Sequence, residues 1–279
     1  MTTLVLQGAG LTTHSSEQIA EKLQADKQDF MGFSLVNTDV EVEALDILRD
    51  DYTFDINVLP EDFIPSGTRL LVMDMDSTLI NIECVDEIAD FVNVKPQVAA
   101  ITESAMRGEI DFETSLRQRV SLLKGLEVSA LTRVYEDRLQ LNSGAEVMLK
   151  RLQQQGIKIA LVSGGFTFFT ERLKLRLGLD YTMANVLGED NGRLTGEVEG
   201  DVCGAQAKAD FLLAHCDKLN ISPSQVVAMG DGANDLMMMN EAGLSVAYHA
   251  KPKVQKQAKT RLNYCGLEGV LGLLQLEFN

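Results

Sequence analysis

From residue 69 onward, short apolar runs alternate with helix-patterned stretches, and few architectures accept that arrangement. Residues 69–73, 157–162, 225–229 and 244–247 read as strands buried on both faces, with a strand-like patch near Tyr181. Helices are expected up to Gln155, after Gly165, near 208–215 and after Asn234, and a glycine-punctuated hairpin at 188–200. Strands separated by helices predict an α/β fold, a Rossmann-like parallel sheet doubly wound on both faces. Four helical stretches, about 84–93, 95–107, 111–124 and 127–140, stand between the first two strands, with no convincing strand among them. They predict a helical-bundle insertion at about 84–142.

Before residue 67 the chain has a different character. Pro60, Pro65 and Gly67 punctuate a change of pattern, which divides the chain into residues 1–66 and residues 67–279. The first part reads as strand 3–6, a helix opening at Ser15 with Gln18 completing a capping box, strand 30–36, helix 41–48 and strand 53–58. Such a small α+β unit buries too little to be robust alone and is expected to lean on the larger part.

Composition narrows the partners. With 45% hydrophobic and 24% charged residues over 279 positions, most of the chain is expected to be ordered. A net charge of -16 without a basic patch argues against nucleic acid or an anionic membrane surface as partner. Cys84, Cys203, Cys216 and Cys265 are widely spaced and form no C-x-x-C pair, as expected of reduced thiols in the cytoplasm. The opening MTTLVLQGAG lacks the basic and long apolar regions of an export signal, and no apolar run approaches the ~18 residues of a membrane span. A cytoplasmic location follows as an expectation.

Four segments at the expected strand ends carry the chemistry. In Asp74-Met75-Asp76-Ser77-Thr78 two carboxylates, two residues apart, project to one side and repel unless a cation or a proton intervenes. Alone, Asp-x-Asp is also an ordinary solvated turn or helix cap. Ser163-Gly164-Gly165, expected between a strand ending at Val162 and the N-terminus of a helix, offers a hydroxyl and bare amides to an anion such as phosphate, although Ser-Gly-Gly is also a common tight turn. Lys208 says little by itself. Gly230-Asp231-Gly232-Ala233-Asn234-Asp235 packs two more carboxylates and an amide into one turn, oxygen chemistry suited to a hard ion such as Mg²⁺.

Together the four segments resemble the motif set of the haloacid dehalogenase superfamily, in order and spacing, over about 210 residues. The longer stretches Asp74 to Glu83, Phe112 to Val120 and Val162 to Phe166 resemble its phosphoserine phosphatase family more narrowly, with Met75 standing where relatives commonly carry an aromatic residue. The resemblance implies Mg²⁺-dependent hydrolysis of O-phospho-L-serine, the last step of serine biosynthesis. It makes Asp74 the nucleophile and Asp76 the general acid and base. Asp74, Asp231 and the backbone carbonyl of Asp76 would hold the metal, with Asp235 behind it. Lys208, Ser163, Gly164 and Asn234 would bind the phosphate.

The insertion would be the substrate-selecting cap. Phe112, Leu116, Val120 and Leu123 mark a buried helical stripe with Arg119 at its edge. By pattern alone snorkelling to water is the preferred reading of Arg119, and Glu83 suits the dipole of a helix N-terminus; the resemblance makes Arg119 the partner of the substrate carboxylate, and Glu83 the partner of the ammonium group. Phe112 and Met106 would be apolar walls of the lid, or plain core. Other readings stay open: a different small phosphorylated metabolite, transfer to an acceptor other than water, or a phospho-ligand sensor without turnover. Residues 1–59 look similar to the ferredoxin-like amino-acid-binding (ACT-like) domains of some relatives but one strand short, which leaves serine binding, a homodimer contact or a bare appendage as their role.

Overall fold

Leu70–Met73 is apolar at every position and wholly buried, which suits only a central strand. In the computed structural model it lies at the middle of a seven-stranded sheet; residues 2–39 and 48–278 are described, apart from the Met106 side chain. We number the strands β1 (Thr2–Gln7), β2 (Asp26–Phe30), β3 (Phe33–Thr38), β4 (Asp55–Val58), β5 (Leu70–Met73), β6 (Lys158–Phe166), β7 (Tyr181–Asp190), β8 (Arg193–Glu199), β9 (Val226–Gly230), β10 (Leu244–Tyr248) and β11 (Thr260–Leu262). The large sheet has the order β11-β10-β9-β5-β6-β7-β8, parallel throughout except for the β7/β8 hairpin. The doubly wound α/β reading therefore holds, and β11 is a strand that the sequence reading lacks.

Alternation along the strands divides the core. Leu71, Met73, Ile159, Leu161, Val227 and Met229 face one cluster, while Leu70, Val72, Ala160, Val162, Val226 and Ala228 face the other. Chain order reverses at β5, with β6 on one side and β9 on the other. In sheets of this kind the crevice at the carboxyl ends beside such a reversal receives the ligand.

Helix α1 (Thr13–Leu23) lies between β1 and β2, and between β5 and β6 lie α2 (Cys84–Asp90), α3 (Lys95–Met106), α4 (Phe112–Ser121) and α5 (Ser129–Arg133), the last continuing as a wider turn over Val134–Arg138. The helical insertion is thus present. Helix α4 starts where Asp111 accepts a hydrogen bond from the Thr114 amide at 2.7 Å, and it buries Leu116 and Val120 as the stripe predicts. At its hinge Ile80 bridges to Leu141, and the Asn142 amide donates to the carbonyls of Thr78 at 2.7 Å and Ile80 at 3.1 Å. The remaining helices are α6 (Ala145–Gln154), α7 (Thr167–Leu177), α8 (Ala205–Leu219), α9 (Leu236–Glu241), α10 (Pro252–Gln257) and α11 (Gly269–Leu273).

The strand expected to end at Val162 runs further: β6 continues through Ser163-Gly164-Gly165 to Phe166, which pairs with Asn185 after a register shift, and the helix expected after Gly165 starts at Thr167. Pairing regained at Phe166 holds the segment in the sheet as a bulge.

Strands β1 to β4 form a second, antiparallel sheet of order β2-β3-β1-β4. The expected strand 30–36 is really a hairpin turning at Met31 and Gly32, so no strand is short. Its helix begins two residues before Ser15, because Thr12 is the cap and Ser15 the third residue of the capping box. The expected helix 41–48 lies almost wholly outside the described residues, although 48–51 are helical. This sheet is fastened to the larger one. The buried Asp55 carboxylate accepts from the amides of Asn263, Tyr264 and Cys265 at 2.7, 3.1 and 2.8 Å, and the Asn57 side chain exchanges two 2.8 Å hydrogen bonds with the Arg261 backbone.

Candidate active site

Strand ends gather the four predicted segments around one cleft of about 130 Å³, small enough for a small metabolite. Asp74, Asp76, Glu83, Arg119, Ser163, Gly164, Asp231 and Asn234 all line it, while Lys208 lies just beneath.

Asp74 follows β5 and its amide donates to the Met229 carbonyl at 3.0 Å, locking the strand end against β9. Residues 75–79 then make a wide turn, with Asp76 extended (φ -65°, ψ 134°) and Ser77 at φ 56°. That kink turns the Asp76 carboxyl back into the cleft. One oxygen accepts from the Cys84 amide at 3.3 Å; the other is buried with no hydrogen-bond partner among the described residues. Burial first, then the charge of Glu83, raises its pKa to about 7.

Lys208 is completely buried, and its Nζ donates at 2.7 Å to both Asp74 and Asp235. Burial opposes its charge, but the two carboxylates outweigh burial and the ammonium is held more firmly than usual. Burial and Asp235 raise the Asp74 carboxyl despite Lys208, and burial with Asp235 lifts Asp231 to about 6. Oxygens of Asp74, Asp231 and Asp235 lie within 4.8 Å of one another. Three carboxylates against one ammonium leave two negative charges, the complement of a divalent cation. Asp235 has both oxygens engaged, by Lys208 and by the Gly232 amide at 3.1 Å, so Asp74 and Asp231 are the better placed donors. The Asp76 side chain is outside this cluster.

Ser163 is buried, and its Oγ accepts from the Gly165 amide at 2.8 Å. Side chains would be crowded here: a Cβ on Gly164 would stand 2.9 Å from the Phe112 ring, and one on Gly165 would stand 3.0 Å from Met75 and 3.2 Å from Asp76, so these neighbours would have to shift. On the cap side, Arg119 reaches the Ser115 carbonyl only at 3.4 Å, and Glu83 accepts from the Ser77 hydroxyl at 2.7 Å. Burial lowers the Arg119 pKa, opposed by Asp86 and Glu83. Lys251, which the sequence reading overlooks, also lines the cleft, and its amide donates to the Asp231 carbonyl at 3.1 Å. Its only sequence signal is a position just after β10.

Residues 68–243 match the haloacid dehalogenase-like hydrolase family. The chain belongs to that family. Among its members, a phosphoserine phosphatase of Polaromonas sp. is 55% identical over 225 residues, covering 79% of this chain and 95% of that one. A crystal structure of a probable phosphoserine phosphatase from Vibrio cholerae superposes with a TM-score of 0.84 at 40% identity, over 98% of this chain and 86% of that one. A phospho-aspartyl intermediate analogue of a phosphoserine phosphatase superposes with a TM-score of 0.70 at 41% identity, over 74% of this chain and 98% of that one. The superfamily expected from the motifs and the helical cap are both borne out. No helix among the described residues is long and apolar enough to cross a membrane.

Proposed function

We propose that this hydrolase is a phosphoserine phosphatase, converting O-phospho-L-serine and water to L-serine and phosphate with Mg²⁺ as cofactor, the reaction that completes serine synthesis. The carrying observation is a pair of carboxyls two residues apart with unlike partners: Asp74 is bound to a buried ammonium, Asp76 has none. Such a pair divides nucleophile from acid.

An Asp74 oxygen attacks phosphorus, and the bond from phosphorus to the seryl oxygen breaks. Asp76, protonated near neutrality, gives that oxygen its proton. As carboxylate it then takes a proton from water, which attacks the aspartyl-phosphate, releases phosphate and restores Asp74. Lys208 keeps Asp74 oriented and offsets charge, while Ser163 and the Gly164 amide hold phosphoryl oxygens and Asn234 contacts their far side. Asp74, Asp231 and the Asp76 carbonyl would hold the metal, which when bound neutralises charge on the phosphoryl oxygens. The relative whose structure mimics a phospho-aspartyl intermediate supports the same chemistry.

Substrate choice rests on Glu83 and Arg119, which present opposite charges at the cap side of the cleft, matching an ammonium and a carboxylate. Arg119→Ala is expected to lower kcat/KM for phosphoserine roughly 100- to 1,000-fold, the value of a charge-assisted pair, with Glu83→Gln somewhat less. Hydrolysis of p-nitrophenyl phosphate, which lacks both groups, should change by less than about threefold. Equal losses on the two substrates would remove the assignment.

The raised carboxyls also set a pH dependence. Folded Asp76 and Asp231 retain protons to about 7 and about 6, above the 3.8 of an ordinary aspartate, so between those limits the folded state binds more protons than the unfolded chain. Metal-free protein should therefore lose stability as pH rises from about 4 to 7. Mg²⁺ should restore more at pH 8 than at pH 5, by a Tm difference on the order of 5 °C. A Mg²⁺ shift independent of pH would contradict the cation's placement among these carboxyls.

A further inference from the structure

Between the paired residues Val162 and Phe166, β6 takes four steps while β7 takes two, from Met183 to Asn185. Ser163-Gly164-Gly165 thus stand against Ala184 alone, an excess of two residues, and their backbone cannot all pair with β7. A single buried side chain compensates. Asn185, 1% exposed, donates from Nδ2 to the carbonyls of Gly164 at 2.7 Å and Gly165 at 3.2 Å, and its Oδ1 accepts from the Cys203 amide at 2.7 Å. Both amide hydrogens and the oxygen are used, and only this orientation of the amide satisfies all three neighbours.

Asn185 does not line the cleft, yet its bonds reach groups that do. In a trans peptide the carbonyl and the next N–H point in opposite directions, so pinning the Gly164 carbonyl fixes the Gly165 N–H. That N–H donates to Ser163 Oγ at 2.8 Å. With its oxygen accepting that N–H, the Ser163 hydroxyl, which lines the cleft, keeps its own hydrogen free to donate. The third bond holds Cys203 at the turn that leads into α8, which carries Lys208.

We propose that Asn185 is a positioning residue: it aims the Ser163 hydroxyl at the phosphoryl group and sets the spacing between Ser163 and Lys208. This deepens the phosphatase reading and rests on it.

The test uses full-length protein with Mg²⁺ and follows inhibition of p-nitrophenyl phosphate hydrolysis by inorganic phosphate, a readout independent of the natural substrate. Asn185→Asp keeps the acceptor for Cys203 but turns a carboxylate oxygen toward two carbonyls; Asn185→Ser is the second variant should the first not fold. Phosphate inhibition is expected to weaken about tenfold or more, with Ser163→Ala giving a comparable loss. Ser163→Ala combined with the Asn185 variant should lose little beyond Ser163→Ala alone, because one residue acts through the other. Additive losses, or a folded Asn185 variant inhibited like the wild type, would overturn the assignment. A wild type that hydrolyses no phosphomonoester would sink the phosphatase reading instead, before any variant is compared.

Discussion

Asp74→Asn should abolish turnover, with kcat falling by roughly 10⁴-fold or more, because an amide cannot form the acyl-phosphate that divides the displacement into two steps. Folding should survive. The amide oxygen can still accept from Lys208, and a buried carboxyl whose ionisation is opposed by burial and by Asp235 is replaced by a neutral group of the same shape. The measurement pairs steady-state rates with acid quenching after exposure to phosphorus-labelled phosphoserine. Wild type should carry label on Asp74 and the variant none. A variant that keeps more than about one percent of wild-type kcat would remove Asp74 as nucleophile. Mg²⁺ titration of the same variant, followed by its Tm, should show weakened binding, since a donor carboxylate has been lost.

Lys208→Met should be the most destabilising single change in the site. Its side chain fits the volume, but Asp74 and Asp235 lose their shared donor in a place where Lys208 is wholly buried. Breaking one partner of a buried ion pair costs about 3–5 kcal/mol, and near neutral pH the carboxyls would relieve part of that by taking up protons. Chemical denaturation should therefore show the loss at pH 8 and a smaller one at pH 5. Activity should fall by at least about 10³-fold, because charge on the approaching phosphate is no longer offset. If Lys208→Met matched the wild-type denaturation midpoint at pH 8, the geometry described for Asp74, Lys208 and Asp235 would be wrong.

Strands that bury both faces were legible because nothing but apolar residues serves there, and the residues ending them were legible because acids and glycines at such ends are costly unless used. Hence 70–73 and 226–229 were readable almost to the residue, and Asp74, Asp76, Asp231 and Asn234 with them. Arg119 was readable only in part: the stripe of Leu116 and Val120 fixes its edge position, but its partner depends on how the cap sits over the sheet. Harder still was the bulge at Ser163. A glycine pair looks like a strand ending, and nothing local reveals that Phe166 finds Asn185 across the sheet. Asn185 itself reads as one polar residue in a half-buried strand, because its three partners come from 20, 21 and 18 residues away. The 26–30 strand was missed because its polar, exposed edge carries no apolar alternation.

The Asn57 side chain stands in for a strand's peptide group, closing a two-bond ring with Arg261 and so joining β4 to β11, the outermost strands of two different sheets. Unpaired rims of that kind are where chains stack into insoluble ribbons. Here each sheet blunts one rim of the other, and the opposite rim of the smaller sheet, β2, is armed with Asp26, Lys27 and Asp29. A concentrated solution of this protein would thus be guarded against ribbon growth at these rims by Asn57 and Asp55 at a seam far from its chemistry and by the charges of β2.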